Sequence, residues 1–489
     1  MRRDSRLDSR GGRETLKNRV QLITYVDRLS GGGFQTLRAL LDGPFAGLFG
    51  GMHLLPFYYP IDGADAGFDP IDHTQPDPRL GSWSDLRELA RDKDLMADLI
   101  VNHMSSRSAQ FEDFRKSGDA SRYADLFLTY GRVFPKGATE TDLLQIYRIR
   151  PSLPFTAMKF DDGSERVLWT TFTSAQIDIN VSSDSGRAYL DQILKQFREA
   201  GVRAIRLDAA GFAIKKSGTS CFMIPETFEF ISDLTAQAHA LGIEALVEMH
   251  GHYEDQIQLA RRVDWVYDFA LPPLVLHALY THDAIPLKKW LAMSPRNAVT
   301  VLDTHDGIGV IDAGGLLSSE EIGNLVETIH GRSNNESRQA SGEAASNLDV
   351  SQVNCTFYDA LGRHDTQYGI ARALQLFSPG VPQVYYVGLL AGINDMELLH
   401  RTNEGRDINR HRYTAQEIEL EIQRPVVRAL FELIRFRDTH PAFAGDFRLL
   451  PCMDHEIAIE WRNKDHWARL NVDLKAMNSA IDASPQVLS

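Results

Sequence analysis

Three acidic residues follow apolar, strand-like runs: Asp208 in VRAIRLDAAGF, Glu248 in GIEALVEMHGHY and Asp306 in NAVTVLDTHDGIG. A run that enters a core and surfaces on a carboxylate has the pattern of a parallel barrel strand reaching its C-terminal end. Three carboxylates at one barrel mouth can supply a nucleophile, a general acid/base and a group that stabilises developing positive charge, the equipment for breaking a glycosidic bond. Arg206 precedes Asp208 by two residues, so both side chains share one strand face. A cation there favours the ionised form that a nucleophile needs. An acid/base catalyst at Glu248 calls for the opposite tuning. Each residue alone has a plainer reading: a helix cap or ion pair at Asp208, a satisfied core glutamate at Glu248, an Asx turn at Asp306. The joint arrangement favours catalysis. His103 in LIVNHM closes a further run and offers a donor for sugar hydroxyls, while His250 shares a face with Glu248.

Short apolar runs alternate with helix-like segments, the pattern of repeated βα units. Eight strands are expected, over 20–26, 48–57, 95–102, 204–207, 245–248, 265–270, 298–302 and 381–387, with helical spacing over 186–200 and 225–241. The fold expected is α/β: a (β/α)8 TIM barrel with inserted domains after strands 3 and 7 and a small C-terminal antiparallel β domain. The boundaries are a disordered leader over 1–18, barrel over 19–102, an inserted domain over 103–183, barrel over 184–307, a loop-rich insertion over 308–362, barrel over 363–442 and the β domain over 443–489. FRLL, EIAIEWR and HWARLNVDL alternate like half-buried antiparallel strands in the last of these.

The chain has 489 residues and a formal charge of −14, which argues against nucleic acid or an anionic membrane as partner. Three scattered cysteines suggest neither a disulfide framework nor a zinc site. No apolar run has membrane-spanning length and the basic N-terminal stretch lacks an apolar segment behind it, so a cytoplasmic location is expected.

The stretches QLITYVDRL, DGADAGFDPIDHT, LIVNHMS, GTSCFM, VYDFALPP, VLDTHDGIGVID, GVPQVYYVG and NDMELL closely resemble those of glycoside hydrolase family 13, the α-amylase superfamily, and within it the sucrose phosphorylase subfamily. The similarity spans about 20–443. The resemblance implies that Asp208 is the nucleophile, Glu248 the acid/base and Asp306 the transition-state stabiliser, in a retaining double displacement with the two reacting carboxylates roughly 5 Å apart. It implies that Asp65, Phe68, His103 and Phe172 hold the glucosyl ring together with Gln176, Arg206, His305 and Arg406. On the acceptor side it implies Tyr147, Ile149, Arg150, Phe212 and His250, with Leu348, Asp349, Ser351 and Gln352 from a loop. Arg150, in IYRIRPSLPF, matches the family's phosphate-binding arginine, and a planar guanidinium suits phosphate. The partners implied are a small α-glucoside and inorganic phosphate. No metal and no organic cofactor are implied, and a homodimer and a monomer both stay open.

The chain departs from the subfamily's usual pattern on the acceptor side: Ile149 replaces a proline, Phe212 a tyrosine and Ser351 a tyrosine. A site that loses hydroxyl and aromatic contacts treats its leaving group differently. The expectation is therefore an enzyme that phosphorolyses 2-O-α-D-glucosylglycerol to α-D-glucose 1-phosphate and glycerol, with sucrose and fructose as the alternative. Glucosylglycerate and sucrose 6′-phosphate rank lower. The rival classes are a hydrolase or transglucosidase on the same barrel, and a non-catalytic sugar-binding scaffold; the latter typically lacks the carboxylates this chain keeps.

Overall fold

The computed structural model describes residues 16–63, 65–148, 152–342 and 352–485. Eight parallel strands lie where the apolar runs predict them: β1 (Gln21–Thr24), β2 (Gly51–Leu54), β3 (Asp94–Ile100), β4 (Val202–Asp208), β5 (Glu244–Val247), β6 (Trp265–Asp268), β7 (Ala298–Thr300) and β8 (Val381–Tyr385). They form a closed barrel in the order β1-β8-β7-β6-β5-β4-β3-β2, that of a (β/α)8 fold. β3, β5, β7 and β8 are buried along their whole length, which accounts for near-continuous apolar runs in place of alternation.

Contacts divide the chain into two compact units. The first comprises Tyr58–Pro76 and Leu86–Leu246 with the chain up to Lys17. It holds β3 and β4, whose register sets Arg206 opposite Asp98 and Asp208 opposite Ile100. The helix Asp184–Ala200 feeds β4. Ser183 caps it by accepting from Gly186 N–H, and Gly201 ends it in the left-handed region at φ 82°. Tyr189, Leu190, Ile193, Leu194 and Phe197 form its buried stripe, each contributing about 1.5–3 kcal/mol on burial. After β3 come short helices, the hairpin Phe155–Lys159 with Glu165–Trp169, and the ladder pairing His103–Ser105 with Gln176–Asp178. His103 thus opens a short strand of its own and does not close β3. Of the expected leader, 1–15 lies outside the described residues, whereas Leu16 is buried and its N–H donates to Glu244 at 3.1 Å.

The second unit comprises Asn18–Phe57, Asp77–Asp85 and Val247 onward. The segment after β7, expected to be loop-rich, is largely helical where described, with helices Ser319–Arg332, Glu336–Ser341 and Phe357–Ala360. The cause is local: Ser318 and Glu321 form a capping box, and Leu325, Val326 and Ile329 supply a buried stripe. At the C-terminus stand β9 (Asp446–Leu449), β10 (Glu456–Asn463), β11 (His466–Asp473) and β12 (Asn478–Ala483), an antiparallel sheet in that order. β12 is exposed along nearly its whole length, so it carries no apolar alternation to read. Among the described residues no helix is long and apolar enough to cross a membrane.

Candidate active site

In the first unit, Asp208 is the last residue of β4 and is 8% exposed. The buried Arg206 Nη1 donates to Asp208 Oδ1 at 3.0 Å and to Asp98 Oδ1 on β3. Asp98 is fixed from behind through its backbone carbonyl, which accepts from Tyr58 Oη at 2.6 Å and lies 3.2 Å from His73 Nε2. The Arg206 guanidinium stands 5.5 Å from the Phe68 ring centroid. His103 Nε2 lies 2.9 Å from the Phe68 carbonyl oxygen and 3.1 Å from Gln176 Nε2, and Gln176 reaches Asp65 Oδ2 at 3.5 Å. Burial lowers the His103 pKa despite nearby carboxylates, so a neutral imidazole donates to the Phe68 carbonyl. Phe172 packs edge-on against His103 at 5.2 Å and against Phe212 at 5.5 Å. The first unit thus gathers Asp65, Phe68, His103, Phe172, Gln176, Arg206 and Asp208, rich in polar donors and acceptors and walled by aromatic rings.

The chain turns sharply past Asp208. Ala209 is left-handed at φ 53° and leads into the 3-10 turn Ala210–Phe212, a strained position of the kind found at functional sites. Gly211 is required by close approach, since a Cβ there would lie 2.7 Å from the Phe222 ring. Phe212 stacks with Tyr147 at 6.0 Å, and Tyr147 with Phe222 at 4.4 Å. Tyr147 is 44% exposed. Three residues past Phe212 comes Lys215, which local sequence does not single out. Its buried ammonium donates to Asn102 Oδ1 at 2.7 Å and to the Phe212 carbonyl, and pairs with Asp178 at 2.6 Å. Asp178 in turn accepts from Thr171 N–H at 2.9 Å and Oγ1 at 2.5 Å. One lysine therefore ties the end of β3, the turn after Asp208 and the segment bearing Phe172.

In the second unit, Glu248 follows directly on β5. His250 Nε2 lies 3.9 Å from Glu248 Oε1 and 3.0 Å from Gln352 Nε2, while its Nδ1 lies 3.0 Å from Asp312 Oδ2. Phe269 stacks on the ring at 4.1 Å. Asp306 is not at a strand end as expected. It lies beyond Thr300, the last residue of β7, in a turn bridged between Thr304 and Gly307, where Asp306 N–H donates to Thr304 Oγ1 at 3.2 Å. Three cations or potential cations surround its carboxylate: Arg406 Nη1 at 2.9 Å, Arg410 Nη2 at 3.8 Å and His305 Nε2 at 3.3 Å. Arg410, buried, also donates to the His305 carbonyl at 2.9 Å, which fixes the turn. The second unit thus gathers Glu248, His250 and Gln352 in one cluster and His305, Asp306 and Arg406 in another.

Ile149, Arg150, Leu348, Asp349 and Ser351 lie outside the described residues. Asp98, Asp178, Lys215 and Asp312 are additions to the residues read from sequence, and Arg410, whose segment GRDINRH also reads as a surface ion-pair cluster, is buried against Asp306. For Asp98 in DLMADLI, Asp178 in QID and Asp312 in GVID the signal is a charged residue in a locally apolar or strand-paired context, whereas Lys215 in KKSGTS carries none. Among the described residues one group, His455, Glu456 and Asp473, brings three potential metal donors within 4.8 Å of one another. Glu456 and Asp473 are paired across the β10–β11 ladder and already accept from backbone N–H groups, so their proximity has a structural cause.

Residues 49–262 match the family model for the alpha amylase catalytic domain. The chain is 59% identical over 476 residues to a sucrose phosphorylase of Agrobacterium vitis, covering 96% of this chain and 98% of the relative. It is 42% identical over 464 residues to a glucosylglycerol phosphorylase of Marinobacter adhaerens, covering 94% and 95%. A crystal structure of sucrose 6F-phosphate phosphorylase from Thermoanaerobacter thermosaccharolyticum superposes with a TM-score of 0.91 at 41% identity, covering 97% of this chain and 96% of that one.

Proposed function

Because the chain belongs to glycoside hydrolase family 13, and within it to the sucrose phosphorylase subfamily of glycosyltransferase-type enzymes, we propose that it transfers an α-glucosyl group from an α-glucoside to inorganic phosphate with retention of configuration. In this reading the Asp208 carboxylate attacks the anomeric carbon while Glu248 protonates the leaving oxygen. The resulting covalent glucosyl-enzyme is taken up by phosphate, whose proton passes to Glu248, giving α-D-glucose 1-phosphate. Asp306 stabilises positive charge at the ring, held in place by Arg406 and Arg410. Asp65, Phe68, His103, Phe172, Gln176, Arg206 and His305 bind the glucosyl ring, and Arg150 with the loop carrying Leu348, Asp349, Ser351 and Gln352 receives phosphate. The observation that carries this reading is the clamp on Asp208: a buried arginine shared with Asp98 orients the carboxylate at a strand end.

For the leaving group we place fructose, from sucrose, ahead of glycerol, the reverse of the order expected from sequence. The chain shares more residues, over nearly its whole length, with the relative named sucrose phosphorylase than with the one named glucosylglycerol phosphorylase. Glucosylglycerol is kept as the second reading on one observation: Phe212 stands without a phenolic hydroxyl in the aromatic cluster with Tyr147 and Phe222. Phosphorolysis of the two glucosides measured side by side separates them. A higher kcat/KM on sucrose supports the first order, and a higher kcat/KM on glucosylglycerol overturns it.

A further inference from the structure

A buried carboxylate needs either a cation or neutralisation. Asp312, on the 3-10 turn Ile311–Ala313, is 0% exposed. Its Oδ1 accepts from Gly251 N–H at 3.0 Å and Gln256 Nε2 at 3.1 Å, and its Oδ2 lies 3.0 Å from His250 Nδ1. The first two donors are neutral. Among the described residues no lysine or arginine pairs with Asp312, so His250 is the group that can bring positive charge to it.

The pair is held tightly. Phe269 stacks on the imidazole with the two planes 16° apart. Gly309 packs against both partners: a Cβ there would lie 2.9 Å from Asp312 Oδ2 and 3.8 Å from the His250 ring. With Nδ1–H engaged by Asp312, the ring turns Nε2 toward Gln352 and Glu248.

We propose that Asp312 is a positioning residue for the acceptor step: it fixes the His250 ring and holds a proton on it, so that an anionic acceptor approaching Glu248 meets an imidazolium. The role rests on the phosphorylase reading above. It answers an electrostatic problem, since phosphate must approach a carboxylate in a protein of net charge −14. The groups facing His250 are Asp312, Glu248, Gln352, Phe269 and Gly309, with the charge of Asp306 acting at longer range. Burial alone lowers the His250 pKa, but the charge and hydrogen bond of Asp312, aided by Glu248 and Asp306, raise it overall.

The test is the pH dependence of kcat/KM for phosphate in the full chain, for wild type, Asp312→Asn, Asp312→Glu, His250→Gln and the double variant Asp312→Asn/His250→Gln. The ionisation of phosphate is common to all of them. Asp312→Asn should raise the KM for phosphate about tenfold and move the basic limb down by about one pH unit. Asp312→Glu should recover part of both. In the His250→Gln background, Asp312→Asn should cost nothing further. An unmoved limb in Asp312→Asn, or the same cost in both backgrounds, overturns the proposal. If Asp312→Asn does not fold, Asp312→Glu and His250→Gln decide: the basic limb must shift in both, in His250→Gln to the one set by phosphate ionisation alone, and a limb identical to wild type in either variant overturns the proposal. Wild type that forms no glucose 1-phosphate contradicts the phosphorylase reading itself. Wild type that forms it, with Asp312→Asn unchanged, contradicts only the role of Asp312.

Discussion

Arg206 Nη1 donates to Asp208 Oδ1 at 3.0 Å along one face of a single strand. The same nitrogen donates to Asp98, so one cation serves two carboxylates in a buried position. Arg206→Leu leaves both without it and should destabilise the protein by about 3–5 kcal/mol, read as a fall in Tm, with loss of turnover. Arg206→Lys keeps the charge but replaces the planar guanidinium with an ammonium on a flexible stem, so it should recover stability better than activity. An Arg206→Lys variant as active as wild type would remove the orienting role.

Phe212 is 9% exposed and packs among Tyr147, Phe172 and Phe222. Phe212→Tyr adds one hydroxyl to that wall. If the leaving group is read there, the ratio of kcat/KM for sucrose over glucosylglycerol should rise about tenfold. An unchanged ratio would place the discrimination elsewhere.

Lys215 and Asp178 form a pair with side chains 1% and 0% exposed. Lys215→Met strands the Asp178 carboxylate and should cost about 3–5 kcal/mol. Adding Asp178→Asn should restore much of the lost Tm, because a neutral amide needs no cation. Denaturant melts of the two single variants and the double variant measure the coupling. Simple additivity would show that the two residues act independently.

His73, packed against Tyr58 and the Asp98 backbone carbonyl, is buried, and burial lowers its pKa to about 4 against the pull of Asp98. The folded value lies below the ordinary imidazole value of 6.5, so between these pH values the unfolded chain holds a proton that the native chain does not. Its contribution is present above pH 6.5 and is lost as pH falls toward 4, by about 3 kcal/mol in all. Acid titration of Tm should be shallower over this window in His73→Gln than in wild type. Parallel curves would show that carboxylates alone set the acid limb. His103, also lowered by burial, acts in the same direction.

The barrel was legible because its strands are almost wholly buried and leave near-continuous apolar runs, three of them followed by a carboxylate. Where that signal fails, so does the reading. β12 is exposed and polar, and was not seen. The segment after β7 has loop-like composition, yet the capping box at Ser318 and Glu321 starts a helix there. Asp208 and Glu248 stand at or next to strand ends, whereas Asp306 is placed by a turn and by arginines about 100 residues later in the chain, which local spacing does not encode. Lys215, Asp178 and Asp312 matter through long-range partners, and a lone charged residue in sequence does not name its partner.

The most direct measurement is the product formed from sucrose with and without inorganic phosphate, followed by NMR so that the anomer is identified as it appears. The account predicts α-D-glucose 1-phosphate as the initial product, formed at least about tenfold faster than free glucose, and abolished in Asp208→Asn. Free glucose released at the same rate with or without phosphate, or a β-configured product, would contradict it.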